Sequence, residues 1–273
     1  MKILVCTRCA PYARHTLEMG RRIASRSADI LDMLLFPDHE SEVGMACTRQ
    51  AEAIAEELEQ TGVQVSLHFE GGQLATKILR EVHERPYDLI IVGSRGRRGI
   101  SKLLFGSTAL QITEQVPRPV LIVKGELRES NKYLVCTSSG PISEQAVSFG
   151  GRLAKLMEAK IHLLHVISQV SLGARGTALE DLEASAEVLI ARGTREGQHL
   201  AEMLERLQAE DVEARALVRH GLVVDEVIAE AREGDYEMII TGSHRTPGVP
   251  ARMVDDVAGR ILLAAHRPVL VVH

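Results

Sequence analysis

Apolar residues fall along the chain in short unbroken runs and in longer stretches where they recur every three or four positions, and the two kinds alternate. "ILVCT" (3–7) reads as a strand, and residues 13–26, with Ala13, Leu17, Ile23 and Ala24 at helical spacing, as a helix. "DILDMLLF" (29–36) is a second strand, and 47–60, with Ala51, Ile54, Ala55 and Leu58 on one face, a second helix. "VQVSLHF" (63–69) alternates apolar with polar, as a sheet edge with one wetter face does. A helix over 73–84, a strand "DLIIVG" (88–93), a helix over 107–116 and a strand "PVLIV" (119–123) complete a β-α-β-α-β-α-β-α-β series. The strands "DLIIV" and "PVLIV" do not alternate, which suits a parallel sheet covered by helices on both faces. Crossovers in such a sheet are right-handed, and ligands gather beyond the carboxyl ends of the strands, where strand order switches.

The same pattern is written twice. "KILVCT" (2–7) returns as "KYLVCT" (132–137), "YDLIIVGSRG" from Tyr87 as "YEMIITGSHR" from Tyr236, and "RPVLIV" from Arg118 as "RPVLVV" from Arg267. The first offset is 130 and the others 149, so the second copy carries about 19 more residues, somewhere in 168–197. Residues 178–210 read as helical, with a break near Gly193 or Gly197; a longer solvated helix or a partner-binding flap would both fit. The polar stretch "GELRESNK" joins the copies, giving domains over 1–126 and 131–273. The terminal strands of the two copies are candidates for pairing edge to edge.

Composition narrows the class. Hydrophobic residues are 45% and charged ones 25%, the balance of a soluble globular protein. Aromatics are 3%, so the cores must be built from Val, Ile, Leu, Ala and Met. A net charge of −5 argues against a nucleic-acid binder. No apolar run approaches the roughly 20 residues needed to cross a bilayer, and Met1-Lys2 leads straight into a strand without a signal-peptide cleavage pattern. The expectation is a cytoplasmic protein without nucleic-acid or membrane partners.

Chemistry concentrates in "GSRGRRGISKLLFGSTALQITEQV" (93–116). Gly93 and Gly96 let the backbone turn tightly and approach a ligand that a Cβ would push away. Gly106 repeats this where a helix opens, Ser107 and Thr108 add hydroxyls to the exposed N–H groups, and the helix dipole favours an anion. Arg95, Arg97, Arg98 and Lys102 lie between. This is a phosphate cradle, and neither a G-x-x-x-x-G-K-[ST] loop nor a G-x-G-x-x-G fingerprint. An ordinary glycine turn with Ser107 as helix cap is the plain alternative; the G-x-x-G-(nine)-G-S/T spacing is the more specific signal.

That spacing resembles the nucleotide-binding motif of the universal stress protein family, in its ATP-binding branch, and the likeness runs through both copies. The resemblance implies two tandem Rossmann-like α/β domains of the adenine nucleotide alpha-hydrolase-like kind, each a five-stranded parallel sheet of order 3-2-1-4-5. It further implies that Gly93, Arg95 and Gly96 lie along ribose and phosphates, that Gly106, Ser107 and Thr108 receive the phosphates, and that Leu35 and Val92 flank the adenine. The ligand implied is ATP, ADP or AMP, with Mg²⁺ as companion. The family's terminal strand mediates dimerisation, so the tandem chain would imitate a dimer internally, with a homodimer a further possibility.

Where the family's first strand ends in an Asp, this chain has Arg8 beside Thr7, followed by Cys9 in place of Gly. Thr7 and Arg8 therefore belong to the adenosine side, where a guanidinium stacks on a base or reaches a phosphate but accepts no hydrogen bond. "CTRC" also has the form of a redox dithiol. The second copy keeps only Cys136, and no second C-x-x-C supplies zinc ligands. His162-x-x-His165 lies on a strand, where its spacing sends the rings to opposite faces. The expectation is that the thiols have no dedicated redox or metal role, a reversible disulfide closing the cleft being the alternative.

The second copy keeps Gly242 but has Arg245 for the second Gly and Asp255-Asp256 for Gly-Ser, with Pro247 and Pro250 in the loop. Two carboxylates repel phosphate. All of the net charge lies in residues 131–273, where acidic side chains number 20 and basic ones 15. One competent site, in the first copy, is expected. No acid or His in the first loop stands out as a base for phosphoryl transfer, and no Ser-His-Asp arrangement is readable. The expected function is a nucleotide-binding stress or regulatory protein without catalytic residues or resident metal; a slow ATPase and a nucleotide-free scaffold are the alternatives.

Overall fold

The computed structural model describes residues 1–38, 41–94, 107–125, 127–128, 130–138, 140–168, 184–243 and 257–273. The chain divides into two compact units whose main bodies are Met1–Leu127 and Arg128–His244.

In the first, the elements are β1 (Lys2–Arg8), α1 (Ala13–Ser27), β2 (Ile30–Phe36), α2 (Glu42–Gln60), β3 (Gln64–Phe69), α3 (Leu74–Glu84), β4 (Leu89–Gly93), α4 (Ser107–Gln115) and β5 (Val120–Val123). The strands run in the order β3-β2-β1-β4-β5, every pair parallel. β4 and β5 are buried along their whole length and the edge strand β3 is half-exposed, as their apolar runs and alternation require. The register sets Thr7 beside Leu35, Cys6 beside Val92 and Leu35 beside Phe69. Thr7, Leu35 and Gly93 thus reach the same, carboxyl, end of the sheet.

α1 buries Ala13, Thr16, Leu17, Met19, Gly20, Ile23 and Ala24, a stripe three to four residues apart. α2 starts at Glu42, five residues ahead of the helix read from apolar spacing. The Ser41 side chain accepts the Gly44 N–H at 3.0 Å and caps it, while Val43 and Met45 of the first turn face solvent, so the apolar stripe begins only after the helix does.

The second unit repeats the plan with β6 (Lys132–Thr137), α5 (Pro141–Met157), β7 (Lys160–Ile167), α6 (Ala186–Ala191), α7 (Arg195–Ala209), β8 (Ala214–His220), α8 (Val223–Glu233), β9 (Met238–Gly242), α9 (Val257–Ala264) and β10 (Val269–Val272). Its strand order is β8-β7-β6-β9-β10, the 3-2-1-4-5 arrangement again. The helical stretch around 190 breaks at Gly193, which takes φ +64°, a left-handed conformation that glycine adopts without strain. Gly197 lies instead inside α7, where a Cβ would come within 2.0 Å of the Leu189 carbonyl oxygen. Residues 178–183 of that stretch lie outside the described residues.

At the amino ends of the strands each half holds a buried tyrosine. The Tyr87 hydroxyl lies 2.7 Å from Asp32 and 2.8 Å from Glu81. Tyr236 lies 2.7 Å from His162 Nδ1 and donates to Glu230 at 2.6 Å. His162 occupies the repeat position of Asp32, and burial, aided by Arg215 and Lys132, pushes its pKa down to about 4. The only sequence signal for this network is the repeated Tyr-acid pair that opens β4 and β9.

Candidate functional site at the carboxyl ends of the strands

In the first half, β1 delivers Thr7 and Arg8 to the cleft end of the sheet. Thr7 is fully buried and its hydroxyl donates to the Arg8 carbonyl at 3.0 Å. Facing it from α1 is Thr16, fully buried, whose Oγ1 has no hydrogen-bond partner among the described residues. Between them passes Gly93. A Cβ there would lie 2.5 Å from Thr7 Oγ1 and 2.6 Å from Thr16 Oγ1, distances that no real Cβ tolerates. Gly93 is therefore required first by the approach of β4 to two hydroxyls, a reason the loop spacing alone does not give.

Arg8 is exposed. Its guanidinium donates to the Gly72 carbonyl at 3.1 Å and lies 5.9 Å from the centre of the Phe36 ring. Leu35 and Val92 are packed in the core, 0% and 1% exposed. The Leu35 carbonyl already accepts the Glu70 N–H at 2.8 Å. Ser107 opens α4, and Thr108 behind it is half-buried. Arg95, Gly96, Arg97, Arg98, Lys102 and Gly106 lie outside the described residues.

The two cysteines of the C-x-x-C go to different places. Cys9 is joined to Cys47 of α2 in a disulfide, with Cα atoms 5.4 Å apart. Cys6 is a free, wholly buried thiol whose pKa burial raises. The C-x-x-C spacing is thus not a dithiol unit: β1 turns Cys6 into the core and the following turn carries Cys9 toward α2. Spacing could not have found Cys47, which is 38 residues away.

At the corresponding end of the second half the side chains hydrogen-bond one another. Thr137, the repeat of Thr7, has its hydroxyl 2.7 Å from Ser143 Oγ and 2.8 Å from His199 Nε2. Ser143 also accepts the Ser138 N–H at 2.9 Å. His165, at the repeat position of Leu35, lies 3.2 Å from the Thr137 carbonyl through Nδ1, with its ring 6.3 Å from that of His199. Burial lowers the pKa of both histidines, which keeps them neutral. His162 and His165 do go to separate neighbourhoods, Tyr236 and Thr137. Sequence reasoning did not single out His199, which lies on the repeat of α2 at the position of Gln50. Arg245, Pro247, Pro250, Asp255 and Asp256 lie outside the described residues. Among the described residues no three His, Cys, Asp or Glu side chains are placed to hold a metal ion, and no helix is long and apolar enough to cross a membrane.

The family model described as "Universal stress protein family" matches residues 1–124 and 130–273. The chain belongs to the universal stress protein family. It is 25% identical over 189 residues to a universal stress protein of Mycolicibacterium smegmatis, the match covering 67% of this chain and 61% of that one. It thus spans less than two thirds of that relative's length. To the universal stress protein YxiE of Bacillus subtilis it is 28% identical over 113 residues, 40% of this chain and 76% of that one. The crystal structure of a universal stress protein from Archaeoglobus fulgidus has the same fold across 99% of this chain and 97% of its own, with a TM-score of 0.68 at 17% identity. Both halves of this universal stress protein carry the family fold.

Proposed function

We propose that this universal stress protein binds one adenine nucleotide, ATP, ADP or AMP, at the carboxyl ends of the first half's strands, and acts as a cytoplasmic stress-response or regulatory protein through the occupancy of that site. The observation that carries this reading is the contrast between the two clefts. Thr7 and Thr16 bring hydroxyls to the end of β1 in the first half, and the Thr16 oxygen is buried without a partner. In the second, Thr137 is already hydrogen-bonded to Ser143 and His199. The first half also has Gly96, Gly106 and Ser107 where the second has Arg245 and two aspartates, and anions are favoured at a helix start with bare amides. Arg8 supplies the cation for a base face or a phosphate, Gly93, Arg95 and Gly96 run along ribose and phosphates, and Gly106, Ser107 and Thr108 receive the phosphates. With ATP, the Ser107 and Thr108 hydroxyls are the ligands on offer to a Mg²⁺.

The test has two arms. Mass spectrometry of the denatured protein should find a released adenine nucleotide, and calorimetry with ATP, ADP and AMP, with and without Mg²⁺, should give one site per chain. A Gly96→Arg/Ser107→Asp double variant, which gives the first loop the second loop's chemistry, should bind none of them. Wild-type protein that binds no adenine nucleotide would overturn the reading.

A further inference from the structure

The Cys9–Cys47 disulfide is confined to the half that keeps the glycine-rich loop. At the repeat positions of its two cysteines the second half has Ser139 and Glu196. We propose that this disulfide is a reducible clamp on the first half's nucleotide cleft, an inference that rests on the nucleotide-binding reading above and adds its regulation.

Cys9 follows Arg8 directly, in the turn between β1 and α1. Its N–H donates to the Phe36 carbonyl at 3.1 Å, so the backbone of the turn is tied to the end of β2. The disulfide ties its side chain to α2 as well. The residues so held, Thr7, Arg8 and Cys9, are those that β1 delivers to the adenosine side. α2 in turn is seated by Gly44, where a Cβ would come within 1.9 Å of the Asp38 carbonyl oxygen. The bond therefore joins the turn after β1, directly beside Arg8, to the second turn of α2. In the reducing cytoplasm a disulfide is typically transient and redox-sensing rather than structural, which is the role this placement serves.

Both sulfurs are shielded, Cys9 being 7% and Cys47 5% exposed, so exchange follows local opening of the α2 amino terminus. A dithiol is the reductant. One of its thiolates attacks a protein sulfur, breaking the Cys9–Cys47 bond and forming a mixed disulfide. Its second thiolate then displaces the protein thiolate. Two electrons and two protons end on Cys9 and Cys47, and the reductant leaves as its own disulfide. Glutathione disulfide reverses the reaction and is released as two glutathione molecules.

The oxidised protein holds the turn in its binding geometry before nucleotide arrives. The reduced protein must order it on binding, which weakens affinity by about tenfold. Linkage makes the effect mutual: nucleotide shifts the disulfide–dithiol equilibrium by the same factor, about 30 mV for a two-electron couple.

The full-length protein is titrated with ATP, ADP and AMP by calorimetry after treatment with glutathione disulfide and again after dithiothreitol. The Cys9→Ser and Cys47→Ser variants are measured beside it. The expected result is binding about tenfold tighter in the oxidised wild type, with both variants matching the reduced wild type under either treatment. A glutathione redox titration followed by thiol counting should show the disulfide favoured by about 30 mV when nucleotide is present. Equal affinity in both states overturns the clamp and leaves the nucleotide-binding reading intact, as does a thiol count that never falls after glutathione disulfide. Absence of binding in either state overturns both.

Discussion

The missing side chain of Gly93 lets the end of β4 sit close against Thr7 of β1 and Thr16 of α1. Adding a Cβ at that point would put carbon 2.5 Å and 2.6 Å from two hydroxyl oxygens, and overpacking of this kind costs about 1–3 kcal/mol. Gly93→Ala should therefore lower the denaturant midpoint even without ligand. Thr16→Val should act in the other direction. It replaces a buried hydroxyl that has no partner by a methyl of similar shape, and an unsatisfied buried group costs about 1–3 kcal/mol, so the unliganded variant should be more stable than wild type. Chemical denaturation of the two variants side by side checks both signs. His162 gives a pH dependence. Its pKa is depressed by burial to about 4, against about 6.5 in an unfolded chain. The unfolded state thus binds more protons between those values, and the stability contributed by neutral His162 is complete above pH 6.5 and is lost as pH falls toward 4. His165 and His199 shift the same way. A His162→Gln variant should show a shallower fall in stability than wild type between pH 6.5 and 4, measured from denaturation midpoints across that range.

The succession of strands and long helices along each half was legible because the strands are short apolar runs and every long helix has a stripe of its own, whereas the strand order 3-2-1-4-5 was implied by the family resemblance. What stayed hidden lies at element ends and in short elements. The start of α2 is set by Ser41 and by the packing of Gly44, not by apolar spacing, since Val43 and Met45 are exposed. α6 is six residues long, too short for periodicity to separate it from α7; the left-handed Gly193 and the Thr194 cap, which accepts the Gly197 N–H, mark the boundary. The cap and the cross-link make α2 testable as an element. Ser41→Ala removes its cap and should cost about 1 kcal/mol. Cys47→Ser removes a cross-link closing a loop of 38 residues, for which the chain-entropy estimate is about 4 kcal/mol. Differential scanning calorimetry under oxidising conditions should rank the losses in that order, and in dithiothreitol the Cys47→Ser difference should disappear while the Ser41→Ala difference persists.

One sequence pattern has been folded twice, and the proposal that only the first copy binds nucleotide rests on a handful of residues at the same end of the sheet. The loop half of that difference is open to reading: Gly96, Gly106 and Ser107 against Arg245, Asp255 and Asp256 follow from aligning the repeats. The other half is not: His199 lies on α7, the repeat of α2, at the position of Gln50, and nothing in the residue types at 137 and 199 announces that they meet. If the loop alone disables the second half, restoring it should suffice. If the histidine is also a plug, it should not. The second is the expected outcome: Thr137 is held at 2.7 Å by Ser143 and at 2.8 Å by His199, with His165 behind them, whatever the loop contains. An Arg245→Gly/Asp255→Gly/Asp256→Ser triple variant should therefore still bind one adenine nucleotide per chain. Adding His199→Ala to it, which removes the ring from the Thr137 hydroxyl, should raise the calorimetric stoichiometry toward two. A triple variant that reaches two by itself would show that the carboxylates and Arg245 were the whole of the block, and that the hydrogen-bonded histidine serves stability alone.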